Sequence, residues 1–153
     1  MHRWIFSAPL TAALLMVLAG ARIVAAEDDE STIKYRQSIM KSVGGHTGAI
    51  YEIVKNNNPN KDHLKRHASA LDDLMGMVQA AFKRQTSGGK TRAKAEIWSD
   101  AAGFSNAASD AEAASGAFVA ATESGNDGEI AKKLDELLDT CKGCHKNYRE
   151  KKD

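Results

Sequence analysis

Four segments of this 153-residue chain repeat apolar side chains every three or four positions, a period that is typical of amphipathic α-helices. The segments span residues 32–55, 61–84, 95–123 and 129–148. No segment alternates apolar and polar residues as a half-buried β-strand would. Because short loops place consecutive helices side by side, the pattern predicts an all-α fold, an antiparallel four-helix bundle.

A Cys-x-x-Cys-His motif lies near the carboxyl end, formed by Cys141, Cys144 and His145. This is the pattern by which a c-type haem is attached to a chain. On a helix, cysteines three apart share a face, so both can form thioether bonds to the haem vinyl groups while the histidine offers a neutral imidazole to the iron. The motif predicts one haem c, held covalently through Cys141 and Cys144 and ligated by His145.

A Cys-x-x-Cys pair also occurs in redox-active disulfides and as half of a zinc site. A thioredoxin-like disulfide lies in a βαβ setting, which the helical pattern does not offer. A structural zinc site needs a second pair of ligands, for which His63 and His67, four apart on a predicted helix, are the candidates. Two histidines at this spacing are more often ordinary surface residues, so the motif favours haem.

The first 26 residues are typical of a cleaved secretory signal peptide. They begin with His2 and Arg3 and continue with an apolar stretch at residues 8–19. This stretch is shorter than the ~20 residues that span a bilayer, which disfavours a membrane anchor. We expect cleavage after Ala26, no stable membrane anchor afterwards, and a mature haem-binding domain of residues 27–153 in an oxidising compartment.

The charge of the chain excludes one class of function. The full sequence has 21 basic and 20 acidic residues, and removal of Arg3 and Arg22 with the signal peptide leaves a formal charge of −1. Proteins that bind nucleic acid usually carry a clear basic excess. We therefore expect no nucleic-acid partner.

Three stretches of the chain together carry a family resemblance. The haem motif is followed by residues 146–149, and Glu96–Ser99 lies near the start of the third predicted helix, after Ala95. The first helix contains Tyr35, Arg36, Gln37 and Met40. These stretches resemble the ending, the start of the third helix and the opening motif of the class II cytochromes c, the family of cytochrome c′ and cytochrome c-556, although relatives often carry proline in place of Ala95. The resemblance covers the mature chain and implies a periplasmic protein.

The resemblance makes Met40 the decisive residue, because that position holds the methionine ligand in cytochrome c-556 and usually an apolar residue over an open iron in cytochrome c′. A thioether is a soft ligand that suits haem iron and raises its reduction potential relative to two histidines. Our first hypothesis is therefore electron transfer through an iron ligated by His145 and Met40. The alternative is a five-coordinate cytochrome c′ that binds small gases such as NO or CO. In that case Met40 is a core residue.

An enzymatic reading ranks below both hypotheses. A peroxidase-like activity would need an acid–base residue beside an open iron, and His46, six residues after Met40, falls on a different part of the helical wheel. We therefore expect that the protein is not an enzyme.

Other residues of the first helix are expected near the haem. Arg36 and Gln37 lie one turn before Met40, where a guanidinium could pair with a haem propionate and an amide could hydrogen-bond to it. Both could instead be solvated surface groups. Gly44, one turn after Met40, could leave room for the haem plane, or it could mark a bend in the helix.

Four lysines surround the motif: Lys142, Lys146, Lys151 and Lys152. Such a patch can steer an acidic periplasmic redox partner protein towards the haem edge, although it could serve solubility alone. The sequence leaves the oligomeric state open between monomer and homodimer.

Overall fold

The computed structural model describes the backbone of residues 11–151 and the side chains of residues 28–151. The helices, with one 3₁₀ turn, are α1 (Thr11–Lys55), the turn (Lys61–His63), α2 (Leu64–Gly76), α3 (Val78–Phe82), α4 (Glu96–Ser99), α5 (Ala101–Ser124) and α6 (Asp127–Tyr148). The four arms of the bundle are α1, α2 with α3, α5, and α6. Helix α5 packs along α2 and α6, and α1 packs along α2, which confirms the predicted four-helix bundle.

Helix α1 begins 21 residues before the predicted start at residue 32 and is continuous from Thr11. Residues 11–26 are rich in alanine and leucine and contain no proline, so no residue there stops a helix. The first ten residues of the predicted signal peptide lie outside the described residues. Across the part of the chain that the structure describes, no helix combines the length and apolar character needed to cross a membrane.

Two predicted helices are each divided. The segment at 61–84 is interrupted at Met77, whose backbone N–H donates to Leu74 O at 3.1 Å. The segment at 95–123 is interrupted at Asp100, which has non-helical backbone angles (φ −116°, ψ 56°) and accepts a hydrogen bond from Gly103 N. A carboxylate in this position caps the first turn of α5. The repeat of apolar residues continues across both breaks, so the sequence pattern did not predict them.

The core receives fully buried side chains from every arm of the bundle. The largest of them are Ile50 of α1, Leu71 of α2, Phe118 of α5, and Leu134 and Leu137 of α6. All five belong to the apolar stripes that predicted the helices. Burial of these stripes supplies the main driving force for folding.

Residues 83–95 form a loop between α3 and α4 that is fastened at both ends. Near its start, the backbone N and the hydroxyl of Ser87 both donate to Asp29 Oδ2 at 2.9 Å, and Arg84 forms ion pairs with Asp28 and Asp29. The Ser87 hydrogen bonds lower the pKa of Asp29.

The other end of this loop pairs with the end of α6. Ala93 and Arg149 form an isolated antiparallel bridge. On either side, Lys94 N donates to Tyr148 O at 3.1 Å and Glu150 N donates to Arg92 O at 2.8 Å. The loop is therefore held against both α1 and α6.

Leu134 and Leu138 of α6 are buried to different depths, so replacing each by alanine should lower the free energy of unfolding by different amounts. Leu134 has 0% exposure, whereas Leu138 is only partly buried. We expect Leu134→Ala to lower the free energy of unfolding by about 2–5 kcal/mol, because it leaves a cavity in the core. Leu138→Ala, the matched control, should cost clearly less. Denaturant unfolding of the two variants measures this difference, and equal losses would contradict the packing described here.

Candidate haem site

One cavity of about 520 Å³ opens where α1, α3, α4, α5 and α6 meet the loop of residues 83–95. Its volume lies within the range of cofactor pockets, roughly 300–1,000 Å³. Most of its surface is apolar, and the large apolar side chains that line it include Met40, Val78, Phe82, Ile97 and Phe104. An apolar cleft of this kind suits the flat hydrocarbon face of a macrocycle.

Helix α6 places the haem motif at the cavity. Cys144 and His145 line it, while Cys141, one turn earlier, is partly buried and packs against the core beside it. Both cysteines are free, and burial raises the pKa of each thiol. The thiols therefore stay protonated and lack the low pKa of a redox-active cysteine.

His145 lies in surroundings that keep its imidazole neutral. Burial lowers its pKa, and the positive charges of Arg149 and Arg92 lower it further. A neutral imidazole has a free nitrogen lone pair, which is the form that ligates iron.

A zinc site receives no support from the geometry. Over the described residues, no group of three or more His, Cys, Asp or Glu side chains is arranged to hold a metal ion. His67, a candidate second ligand, contacts His46 of α1.

Met40 of α1 and His145 of α6 line the same cavity. The Met40 side chain is partly buried and packs against the apolar core. The fold thus brings together two residues that are more than 100 positions apart in the sequence.

Arg36 is a buried residue of this cavity wall, with only 3% exposure. Its Nε donates to Ala81 O at 2.8 Å, Nη1 donates to Thr86 Oγ1 at 3.2 Å, and Nη2 donates to Arg84 O. The guanidinium carbon also lies 5.1 Å from the ring centre of Phe82 and 5.4 Å from that of Trp98. These contacts exclude a solvated surface role. No sequence pattern indicated the bonds to backbone carbonyls.

Gln37 and Gly44 differ in their relation to the cavity. Gln37 is exposed at the rim, and its Nε2 donates to Lys90 O at 2.7 Å, which ties α1 to the loop. Gly44 is exposed and does not line the cavity, and a Cβ added there would meet no atom within 4 Å. The expectation that Gly44 faces the haem is therefore not met.

Basic side chains surround one side of the cavity, and two of them were missed by sequence reasoning. Arg36 and Arg149 were singled out in advance by their place in the motifs, whereas Lys90 and Arg92 come from the loop. Arg92 and Arg149 also line an adjoining surface cleft together with Lys34 and Lys41. This rim suits the anionic propionates of a haem.

The predicted lysine patch is less uniform than the sequence suggested. Lys142 donates to Asp139 Oδ1 at 2.9 Å, and this bond raises the pKa of the lysine. Lys146 and Lys151 are exposed, and Lys152 lies outside the described residues.

Tyr148 and Trp98 pack beside the cavity and use their polar atoms. Tyr148 OH donates to Asp100 Oδ2 at 2.7 Å, and this bond, with burial, raises the pKa of Tyr148 to about 12. Trp98 Nε1 donates to Phe82 O at 2.8 Å. The bond from Tyr148 joins the end of α6 to Asp100, the residue that caps α5.

The donor set and the shape of the cavity fit a haem. The cavity offers apolar walls, a neutral imidazole and a basic rim, with two thiols on the helix that carries the imidazole. The structure therefore brings together five of the six residues predicted for the site around one cavity, and Cys141 lies one turn away from it.

The chain is similar to proteins called cytochrome c′. The sequence profile of the family described as Cytochrome C′ matches residues 31–149. A cytochrome c′ of Pararhodospirillum photometricum is 39% identical over 79% of this chain and 98% of its own length. One of Rhodospirillum rubrum is 32% identical over 90% of this chain and 94% of its own length.

Solved structures show the same likeness. The crystal structure of cytochrome c′ from Rubrivivax gelatinosus is 31% identical, with a TM-score of 0.74 over 80% of this chain and 97% of its own. A nitric oxide complex of a cytochrome c prime variant from Alcaligenes xylosoxidans is 32% identical, with the same TM-score over 81% and 97% of the two chains.

Replacing either of two glycines of α5 by alanine should change the free energy of unfolding, in opposite directions at the two positions. At Gly103 a Cβ would overlap the Asp100 carboxylate and lie 2.5 Å from Tyr148 OH, whereas at Gly116 the nearest atom is 3.8 Å away. We expect Gly103→Ala to lower the free energy of unfolding by about 1–3 kcal/mol through overpacking. Gly116→Ala, the matched control, should raise it by up to about 1 kcal/mol. Denaturant unfolding tests both, and a stabilising Gly103→Ala would contradict the described contact.

Proposed function

The chain belongs to the cytochrome c′ family, and from that premise we propose that it binds one haem c and uses it to bind small gases such as NO or CO. This is the second of the two hypotheses drawn from the sequence. It is carried by one observation: structures with this fold and about 31–32% identity include nitric oxide complexes of cytochrome c prime variants from Alcaligenes xylosoxidans.

The motif residues of α6 would hold the cofactor. Cys141 and Cys144 would form the thioether bonds, and His145 would ligate the iron from its side of the cavity. When bound, the haem would supply a redox-active iron that can bind a small gas. Arg36 and Gln37 hold α1 and the loop together at the basic rim, where the propionates would be bound.

Met40 acts in this proposal as an apolar side chain that covers the open position. Its thioether packs among apolar neighbours of the cavity wall. An apolar cover disfavours water and charged ligands, which lose hydration there without gaining a partner. Diatomic gases are small and weakly hydrated, so they lose the least hydration free energy on entering the apolar cavity.

Electron transfer through His145 and Met40 remains the second candidate function. The observation that favours it is that Met40 and His145 line one cavity from different helices. A ligating methionine would fill the axial position and raise the reduction potential. The partner would then be a periplasmic redox protein, for which the exposed cations of the adjoining cleft offer a docking surface.

The proposed function is not enzymatic. Among the described residues that line the cavity, His145 is the single histidine, and Asp and Glu are absent. His46 contacts His67 and does not line the cavity. A peroxidase-like reaction needs an acid–base group beside the iron, and the described lining offers no second histidine and no carboxylate for that role.

Export to the periplasm completes the proposal. The basic start and the apolar stretch at residues 8–19 support cleavage after Ala26. Covalent haem attachment would then use both cysteines in an oxidising compartment.

The two cysteines can be tested through the strength of haem attachment. We expect the haem of the exported protein to resist extraction with acidified acetone, since thioether bonds are covalent. Cys141→Ala and Cys144→Ala should each leave a single thioether bond, visible as a shifted haemochrome spectrum in pyridine, and the double variant should lose its haem on extraction.

The intact mass of the unsubstituted protein provides a readout that does not depend on the variants accumulating. It should equal that of a chain beginning at Glu27 plus one haem. A haem that is extracted from the unsubstituted protein, or a mass without haem, would contradict covalent attachment.

Optical spectra decide between the two candidate functions. For gas binding, the purified protein should show a high-spin haem in both oxidation states, and the reduced form should shift at once when carbon monoxide is added. Met40→Ala should bind carbon monoxide at least as fast, because it removes the side chain that covers the position.

Met77→Ala is the matched control, since Met77 is 44% exposed and does not line the cavity. Its spectra should equal those of the unsubstituted protein. A low-spin spectrum with a methionine-to-iron charge-transfer band, unchanged by carbon monoxide and lost in Met40→Ala, would overturn gas binding and establish the electron carrier.

A further inference from the structure

Two histidines form a close pair outside the haem site. His46 lies on α1 and His67 on α2, and both side chains are partly buried between the helices. Their Nδ1 atoms are 3.0 Å apart, and the ring centres are 5.2 Å apart with the planes tilted by 59°. Neither residue lines the haem cavity, so the proposed function leaves this pair without a role.

The pair brings the two Nδ1 atoms within hydrogen-bond distance of each other. Without a metal, a single proton can lie between them, donated by one neutral ring to the lone pair of the other. When both rings carry their protons on Nε2, both Nδ1 atoms have a free lone pair. Two neutral imidazoles this close can ligate one divalent transition metal that lies beside the line joining the two nitrogen atoms, once each ring turns its lone pair towards it.

The distance between the nitrogen atoms indicates which geometry suits the pair. Imidazole nitrogens bind such metals at about 2.0–2.1 Å, so two ligands at right angles lie about 2.9 Å apart and two at the tetrahedral angle about 3.4 Å apart. The observed 3.0 Å is close to the right-angle value. Right angles between nitrogen ligands are typical of tetragonal Cu(II) and Ni(II) sites.

We propose that His46 and His67 form a binding site for a divalent transition metal, with Cu(II) preferred. Each ring would coordinate through Nδ1. Water would complete the coordination, because the described residues offer no cluster of three or more His, Cys, Asp or Glu side chains around a metal position. Copper is also the metal that nitrogen ligands bind most tightly in the first-row series.

The surroundings of His67 favour the form that binds metal. Burial lowers the pKa of its imidazole, and His46 and His63 add to the effect. A neutral imidazole is the form that ligates a metal.

The site differs from the pair that the sequence suggested. His63 and His67 are four residues apart, but His63 lies on the exposed 3₁₀ turn and its Nε2 is 3.8 Å from Asp62. The structure pairs His67 with His46, which is 21 positions earlier in the chain. A metal bound there would link α1 to α2, and it would exchange readily because only two ligands come from the protein.

Copper titration of the ferric holoprotein tests the proposal. We expect calorimetry with Cu(II) to give one equivalent per chain, and the copper electron paramagnetic resonance signal to carry hyperfine coupling from two imidazole nitrogens. His46→Gln and His67→Gln should each weaken binding by more than tenfold. His63→Gln, the matched control, should change the affinity by less than twofold. Ni(II) and Zn(II) should bind more weakly than Cu(II).

Three results would overturn the site. They are an absence of binding at micromolar protein, unchanged affinity in the His46→Gln/His67→Gln double variant, and a loss in His63→Gln as large as in His67→Gln. An unchanged copper affinity in the double variant would mean that copper binds at another position, such as the free amino terminus. The haem spectrum and the helical circular dichroism identify any variant that fails to fold, in which case the other single variant provides the test.

Discussion

The buried guanidinium of Arg36 holds the parts of the haem site together. A charge removed from water must be compensated by hydrogen bonds or by opposite charge. Here the compensation comes from the carbonyl oxygens of Ala81 and Arg84 and from two aromatic rings, those of Phe82 and Trp98. Because these partners belong to the end of α3, the loop after it and α4, one side chain of α1 fixes the position of three other segments. The cavity has its shape because those segments cannot separate without exposing unpaired polar groups.

The sequence predicted the architecture well because the helices depend on a repeating pattern. Side chains such as Leu71, Phe118 and Leu134 occupy the apolar stripes that were visible in advance, and the structure buries them. The breaks at Met77 and Asp100 were not predicted, since neither interrupts that stripe. Helix boundaries depend on single capping contacts, such as that between Asp100 and Gly103, and a capping residue leaves no periodic signal.

The candidate site was predictable where it depends on a motif, and only there. Cys144, His145 and Met40 were identified before the structure, and they converge on one cavity. Lys90 and Arg92 were missed because they lie in a loop whose path is set by contacts distant in sequence, including the bond between Glu150 and Arg92. Arg36 lines the same cavity, but its carbonyl partners depend on how α3 ends. The pairing of His46 with His67 was also invisible, because it joins two helices at a spacing that no local pattern marks.

The contact between Asp29 and Ser87 would lie at the start of the mature chain under the proposed cleavage after Ala26. Asp29 lies three residues beyond the expected cleavage point, is 8% exposed, and holds both the backbone and the hydroxyl of Ser87. Under that cleavage, the loop beside the cavity would be anchored to the new amino terminus. The accuracy of processing would then bear on cofactor retention, because cleavage three residues later would remove Asp29 and its bonds to Ser87 while leaving every proposed haem ligand in place.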